Sequence, residues 1–142
     1  MKKLFLIIAL ILNSLTIFSQ TNNREKFPIF PACENSTNQD LENCFYNELQ
    51  DFVYKNFQLP EFAKQENYQD KIIALFEVDT TGTFKILYVD ANNAALIQET
   101  KRVFTLLPKI KPATFNGVVT YAKYTITLDI PLQTASQIAL SK

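Results

Sequence analysis

One stretch limits the fold of this chain more than any other. From Val118 to Pro131, residues Val118, Ala122, Tyr124, Ile126, Leu128 and Ile130 fall on one side of a two-residue period, and Tyr121, Lys123, Thr125, Thr127 and Asp129 fall on the other. Such a segment reads as a β-strand with one face on a core and one in water. A strand wetted on one face belongs to an antiparallel sheet rather than to a parallel sheet buried between helix layers. Its apolar face needs a covering layer, and the upstream sequence supplies amphipathic helices for it.

Leu41, Phe45, Leu49, Phe52 and Val53 recur at helical spacing and predict a helix to about Asn56, with Asp40 or Asn38 as its cap. Pro60 disfavours helical geometry at Leu59 and suits a first helical turn, so Pro60 to Glu66 reads as the start of a short second helix. Lys71 to Asp79 reads as a strand. Ile72, Ala74, Phe76 and Val78 form one apolar face, and Ile73 and Leu75 make the other apolar as well, as in a strand covered on both sides at one end. Thr80 to Thr83 is a turn with Gly82 free to take positive φ, and Phe84 to Asp90 is the return strand. Asn92 or Asn93 caps a further helix carrying Leu96, Thr100, Val103, Phe104 and Leu107, which Pro108 ends, and 109–112 is an extended connector. The expectation is an α+β domain: an antiparallel three-stranded sheet with helices packed on one face.

Around this domain, 41–132, the chain divides into three more parts. Residues 1–20 read as an export signal, with Lys2 and Lys3 preceding the apolar run from Leu4 to Phe18. That run is broken by Asn13, Ser14 and Thr16, and it is shorter than the roughly 20 apolar residues of a spanning helix; an uncleaved inner-membrane anchor is the rival reading. Residues 21–40 lack periodicity and read as a tether, and 133–142 as a loose tail. In an exported chain the two cysteines, Cys33 and Cys44, favour a disulfide over two free thiols or a metal site. Taking Lys2 and Lys3 from the 14 basic residues leaves 12 against 14 acidic ones, a formal net charge near −2. Neither nucleic acid nor an anionic membrane is recommended as a partner by that balance.

Catalytic readings find no foothold. The chain has no histidine, which removes the usual general base and the Ser-His and Cys-His nucleophile pairs. No phosphate loop or nucleophile elbow is present. Glu61, Glu66, Asp79 and Asp90 read as solvated charges, and Glu99, Lys101 and Arg102 as the outer face of a helix. Asp79-Thr-Thr81 and Asn35-Ser-Thr37 match short glycosylation patterns that recur by chance. No catalytic residue, metal ligand or cofactor is assigned. A long outer strand with a polar outward face offers unpaired N–H and C=O groups to an extended peptide or to another copy of the chain.

The order of short motifs resembles one family. Phe30-Pro-Ala-Cys-Glu34, Cys44-Phe45, Leu59-Pro-Glu-Phe-Ala63, Phe76-Glu-Val-Asp-Thr-Thr-Gly82, Glu99-Thr-Lys-Arg102, Leu107-Pro-Lys-Ile-Lys-Pro112, Asn116-Gly117 and Ile130-Pro-Leu132 follow one another as in the TonB C-terminal domains of Bacteroidetes. Asp70, Ala32 and Ala113 stand where that pattern has glycine. The resemblance implies a periplasmic binding module in transport across the outer membrane. It would engage the TonB box of a TonB-dependent receptor by strand addition beside the last strand. Carried over, the contacts are Tyr121, Lys123, Thr125 and Thr127, with Leu59 and Pro60 nearby. The alternative is a self-associating envelope domain without energy transduction, a homodimer through the edge strand.

Overall fold

The computed structural model describes residues 25–141. The expected export signal lies outside them, and no helix among the described residues is long and apolar enough to cross a membrane.

The architecture is α+β, with two antiparallel three-stranded sheets rather than the single sheet expected. In the larger, β2 (Asp70–Val78) lies between β3 (Phe84–Asp90) and β6 (Ala122–Ile130). The smaller joins β1 (Glu25–Lys26), β4 (Thr114–Phe115) and β5 (Val118–Val119). The stretch expected as one strand from Val118 therefore divides: Val118 and Val119 pair back onto β4 around a turn where Asn116 and Gly117 both have positive φ, and the long strand begins at Ala122. From there the period-two pattern holds, because Tyr124, Ile126, Leu128 and Ile130 are buried and the residues between them are exposed.

Two helices cover one face of the larger sheet. Helix α1 (Leu41–Asn56) turns Leu41, Phe45, Leu49 and Val53 inward, and α2 (Ala94–Thr105) turns in Leu96, Thr100, Val103 and Phe104. Asn93 caps α2 by accepting from Ala95 N at 2.8 Å. At α1 Asp40 is the N-cap residue and its carbonyl accepts from Cys44 N at 2.9 Å, but its side chain accepts from the Thr37 hydroxyl and makes no capping bond to the helix. The short segment after Pro60 is a 3-10 turn, Glu61–Lys64. On the opposite sheet face Ile73 is 38% exposed and Tyr88 60% exposed, so the apolar residues there lie on an open surface and not under a second layer. That corrects the expectation that β2 is covered on both sides at one end.

Residues 25–40, read from sequence as a tether, contribute to the core. Phe30 and Cys33 are buried, and the Phe27 ring lies 5.2 Å from Tyr124 and 5.8 Å from Phe45. Ile29 exchanges backbone hydrogen bonds with Lys111, and Cys33 is disulfide-bonded to Cys44 in α1 with Cα atoms 5.9 Å apart. At the β2–β3 turn Gly82 adopts φ +78°, and a Cβ there would stand 1.7 Å from the Ile110 carbonyl oxygen. Glycine is required at this position both for its backbone angle and for the close passage of the 109–112 connector.

Candidate functional site

The larger sheet ends at β6, all nine of whose residues pair with β2 on one side. Which backbone groups face outward follows from the hairpin. Asp79 N donates to Thr83 O, and Gly82 N donates to Asp79 O, so the polar groups of Asp79 point at β3. Successive residues of a strand direct their N–H and C=O groups to opposite sides. Glu77, Leu75 and Ile73 thus face β3, while Val78, Phe76, Ala74 and Ile72 face β6. Their partners across the ladder are Ala122, Tyr124, Ile126 and Leu128. The N–H and C=O groups of Lys123, Thr125, Thr127 and Asp129 are left pointing away from the sheet, and no described strand pairs with them.

Beside this edge, on the helix side, runs a groove of about 240 Å³. Tyr46, Asn47 and Gln50 of α1 form one wall, Thr125, Ile126 and Thr127 the other, and Ala135 and Ile138 close it. The last two belong to α3 (Ala135–Leu140), a helix in the segment expected as a loose tail. A capping box between Thr134 and Gln137 starts it. Two hydrogen bonds hold it to α1: Ala135 N donates to Asp51 Oδ1 at 2.8 Å, and Gln50 Nε2 donates to Gln133 O at 2.8 Å. No residue of α3 is buried.

Of the six residues named from sequence, Lys123, Thr125 and Thr127 stand together on the free edge with exposed side chains. Tyr121, 60% exposed, lies just ahead of β6. Leu59 and Pro60 line a different groove with Gln58, Glu61 and the α2 residues Ala95, Gln98, Glu99 and Arg102; α2 packs chiefly on β3, at the far side of the sheet. Sequence reasoning missed the contribution of Tyr46, Gln50 and Ile138. The signal for Ile138 was the Thr134–Gln137 capping box.

Glu61, Glu66, Asp90 and Lys101 are exposed as expected, whereas Glu99, Arg102 and Asp79 make structural contacts. Glu99, its side chain 13% exposed, accepts from Gln58 N at 2.6 Å and from Arg102, whose guanidinium also donates to Asn56 O at 2.7 Å. The Arg102 guanidinium, and then the Gln58 amide, hold the Glu99 carboxyl below its ordinary range. Asp79 accepts from the Thr81 hydroxyl and the amides of Thr81 and Thr83, which likewise lower its pKa. These contacts fasten the α1–α2 junction and the hairpin turn. Among the described residues no group of three or more Cys, Asp or Glu is arranged to hold a metal ion.

No family model matches this chain, and no curated protein or solved structure matches it.

Proposed function

We propose that the chain is a periplasmic binding module that takes an extended peptide at the free edge of β6, the TonB box of an outer-membrane receptor being the peptide implied by the motif order. The observation that carries this reading is the unpaired edge of a nine-residue strand running beside a groove of mixed polar and apolar lining, with Ile126, Ala135 and Ile138 among its walls. A peptide paired there would bond to the backbone of Lys123, Thr125, Thr127 and Asp129. Its residues opposite Tyr124, Ile126 and Leu128 would turn toward the helix side, where the groove between Gln50 and Ile138 receives an aliphatic side chain. Backbone bonds supply affinity in this mode and alternate side-chain pockets supply selectivity. Tyr121 would extend the contact at one end; Leu59 and Pro60 would serve a separate receptor contact across the sheet.

The test is a titration of isotope-labelled protein with TonB-box peptides from receptors of the same genome. Saturable amide shifts centred on 122–130 and on Tyr46 and Gln50 are expected, and an unchanged spectrum at millimolar peptide would sink the reading. Thr125→Pro removes an outward N–H that the β2 ladder does not use, a position where an edge strand tolerates proline. It should weaken the peptide by about fivefold, the worth of one backbone hydrogen bond near 1 kcal/mol, and leave the fold intact.

A further inference from the structure

Among the described residues ten large apolar side chains are exposed, and four of them, Phe115, Val118, Val119 and Tyr121, fall within seven consecutive positions. They belong to the β4–β5 hairpin and the residues just after it, where Asn116 and Gly117 take the positive φ of a two-residue turn. A Cβ added at Gly117 would meet nothing within 4 Å, so the turn projects into open space. Phe115 and Val118 are directly paired and share one face of the ribbon, with Glu25 of β1 beside Phe115. Thr114 and Val119, the next pair, share the other face, with Lys26 beside Thr114. The tip is therefore apolar on both faces, Val118 being 69% and Val119 48% exposed. From Pro112 to Ala122 no residue is charged, and Lys109, Lys111 and Lys123 flank the stretch. Lys111 is paired with Glu34, whereas Lys26 and Lys123 pair with no carboxylate among the described residues.

We infer that this hairpin tip docks on a phospholipid bilayer, its apolar side chains entering the layer between headgroups and acyl chains while Lys26 and Lys123 meet lipid phosphates. A protein partner covers one face of a ribbon and leaves the other in water. A bilayer surrounds a projecting tip, and it takes Phe115, Val118 and Val119 out of water together, which is the arrangement that apolar residues on both faces require. The peptide groups of the turn have no ladder partners, and hydrocarbon would leave them unsatisfied, so the tip stops in the interfacial layer. Tyr121 has a ring to bury and a hydroxyl to keep wet, the combination that suits the headgroup level. The point where the chain enters the domain agrees with this orientation. The apolar run from Leu4 to Phe18 reaches the domain through β1, and β1 pairs with β4 of the hairpin. Only residues 19–24 lie between, and fully extended they span about 20 Å, so a bilayer holding that run lies within reach of the tip. The overall charge near −2 gives no attraction to an anionic surface, which makes apolar burial the driving force and the two lysines a local addition. Docking uses none of the outward backbone groups of β6 and does not depend on the peptide reading.

The chain contains no tryptophan, so one introduced at the tip reports its surroundings alone. Val118→Trp, purified from cells expressing all 142 residues, should shift its emission to the blue on phosphatidylcholine vesicles and be quenched by lipids spin-labelled near the headgroup end of the acyl chain. Tyr88→Trp, on the open sheet face, should do neither. Added to Val118→Trp, Phe115→Ser should weaken insertion of the tip about fivefold through loss of a half-exposed ring, with an unchanged melting temperature showing that the fold is kept. Lys26→Gln/Lys123→Gln should weaken it further on vesicles containing phosphatidylglycerol. An unshifted Val118→Trp at millimolar lipid would overturn bilayer docking and leave the tip to a protein partner. A Tyr88→Trp that shifts as far, or insertion unchanged by Phe115→Ser, would overturn it by assigning the contact to another part of the chain.

Discussion

At the residue scale, Tyr124 shows how the same side chain can serve the core and strain it. Its ring is buried among Phe27, Phe45 and Phe76, with centroids 5.1 to 5.8 Å away. Its hydroxyl, also buried, has no hydrogen-bond partner. Burial, and secondarily the nearby charge of Glu25, pushes its pKa well above the ordinary tyrosine value. A buried hydroxyl without a partner costs about 1 kcal/mol or more relative to water. Tyr124→Phe should therefore raise stability by up to about 1 kcal/mol in urea unfolding, and a loss of that size would show that the hydroxyl is bonded in solution. The sequence signalled the burial of Tyr124 through its place in the alternation, but alternation says nothing of where a hydroxyl tip ends.

Among elements, the junction of α1 and α2 rests on a carboxylate. Glu99 ties Gln58, just past the end of α1, to Arg102 in the last turn of α2, and Arg102 ties back to Asn56. Folding lowers the proton affinity of Glu99, so its stabilising effect is present above the ordinary carboxylate range near pH 4. It is lost as pH falls through and below that range. Asp79 acts in the same direction at the hairpin turn. Stability should thus fall steeply on acidification below about pH 4, and Glu99→Gln should be less stable at neutral pH and show a shallower acid limb. An acid profile identical to that of the wild type would mean that the network contributes nothing. The helices and strands were legible because each long element repeats its apolar residues several times: Phe45, Leu49 and Val53 in α1, Ile72 to Val78 in β2. The small sheet was not, since β1, β4 and β5 have two residues each and a pair of valines fits a strand end as well as a hairpin. Helix α3 is six residues long and buries none, which leaves its cap as the one readable sign.

For the whole molecule, residues 25–40 and the domain are one unit. Phe27, Phe30 and Cys33 pack with α1 and β6, and β1 pairs with β4. The Cys33–Cys44 bond fixes this segment to the first helix across a sequence separation of 11. A loop of that length gives about 3 kcal/mol in the chain-entropy treatment. Cys33→Ala/Cys44→Ala should accordingly lower the melting temperature by about 10 to 20 °C. An unchanged melting temperature would mean that packing of Phe27 and Phe30 alone holds the segment. The candidate edge was legible as a strand with a polar outward face, whereas the groove beside it was not. That groove needs Tyr46 and Gln50 of α1 to meet Thr125 and Thr127 of β6, with Ile138 of α3 closing it, and no local pattern encodes contacts across 75 to 81 residues of chain.

The disulfide also decides how the molecule would bear tension. A pull entering the chain ahead of Cys33 reaches a covalent branch there, and the short arm through the two sulfurs leads straight into the first turn of α1. Residues 34–40 lie beside that arm, outside the direct path. In the oxidised protein a load that reaches Cys33 is handed to the helix packed against β6 without unravelling residues 34–40; on reduction the same load would draw those residues out before it reached the helix.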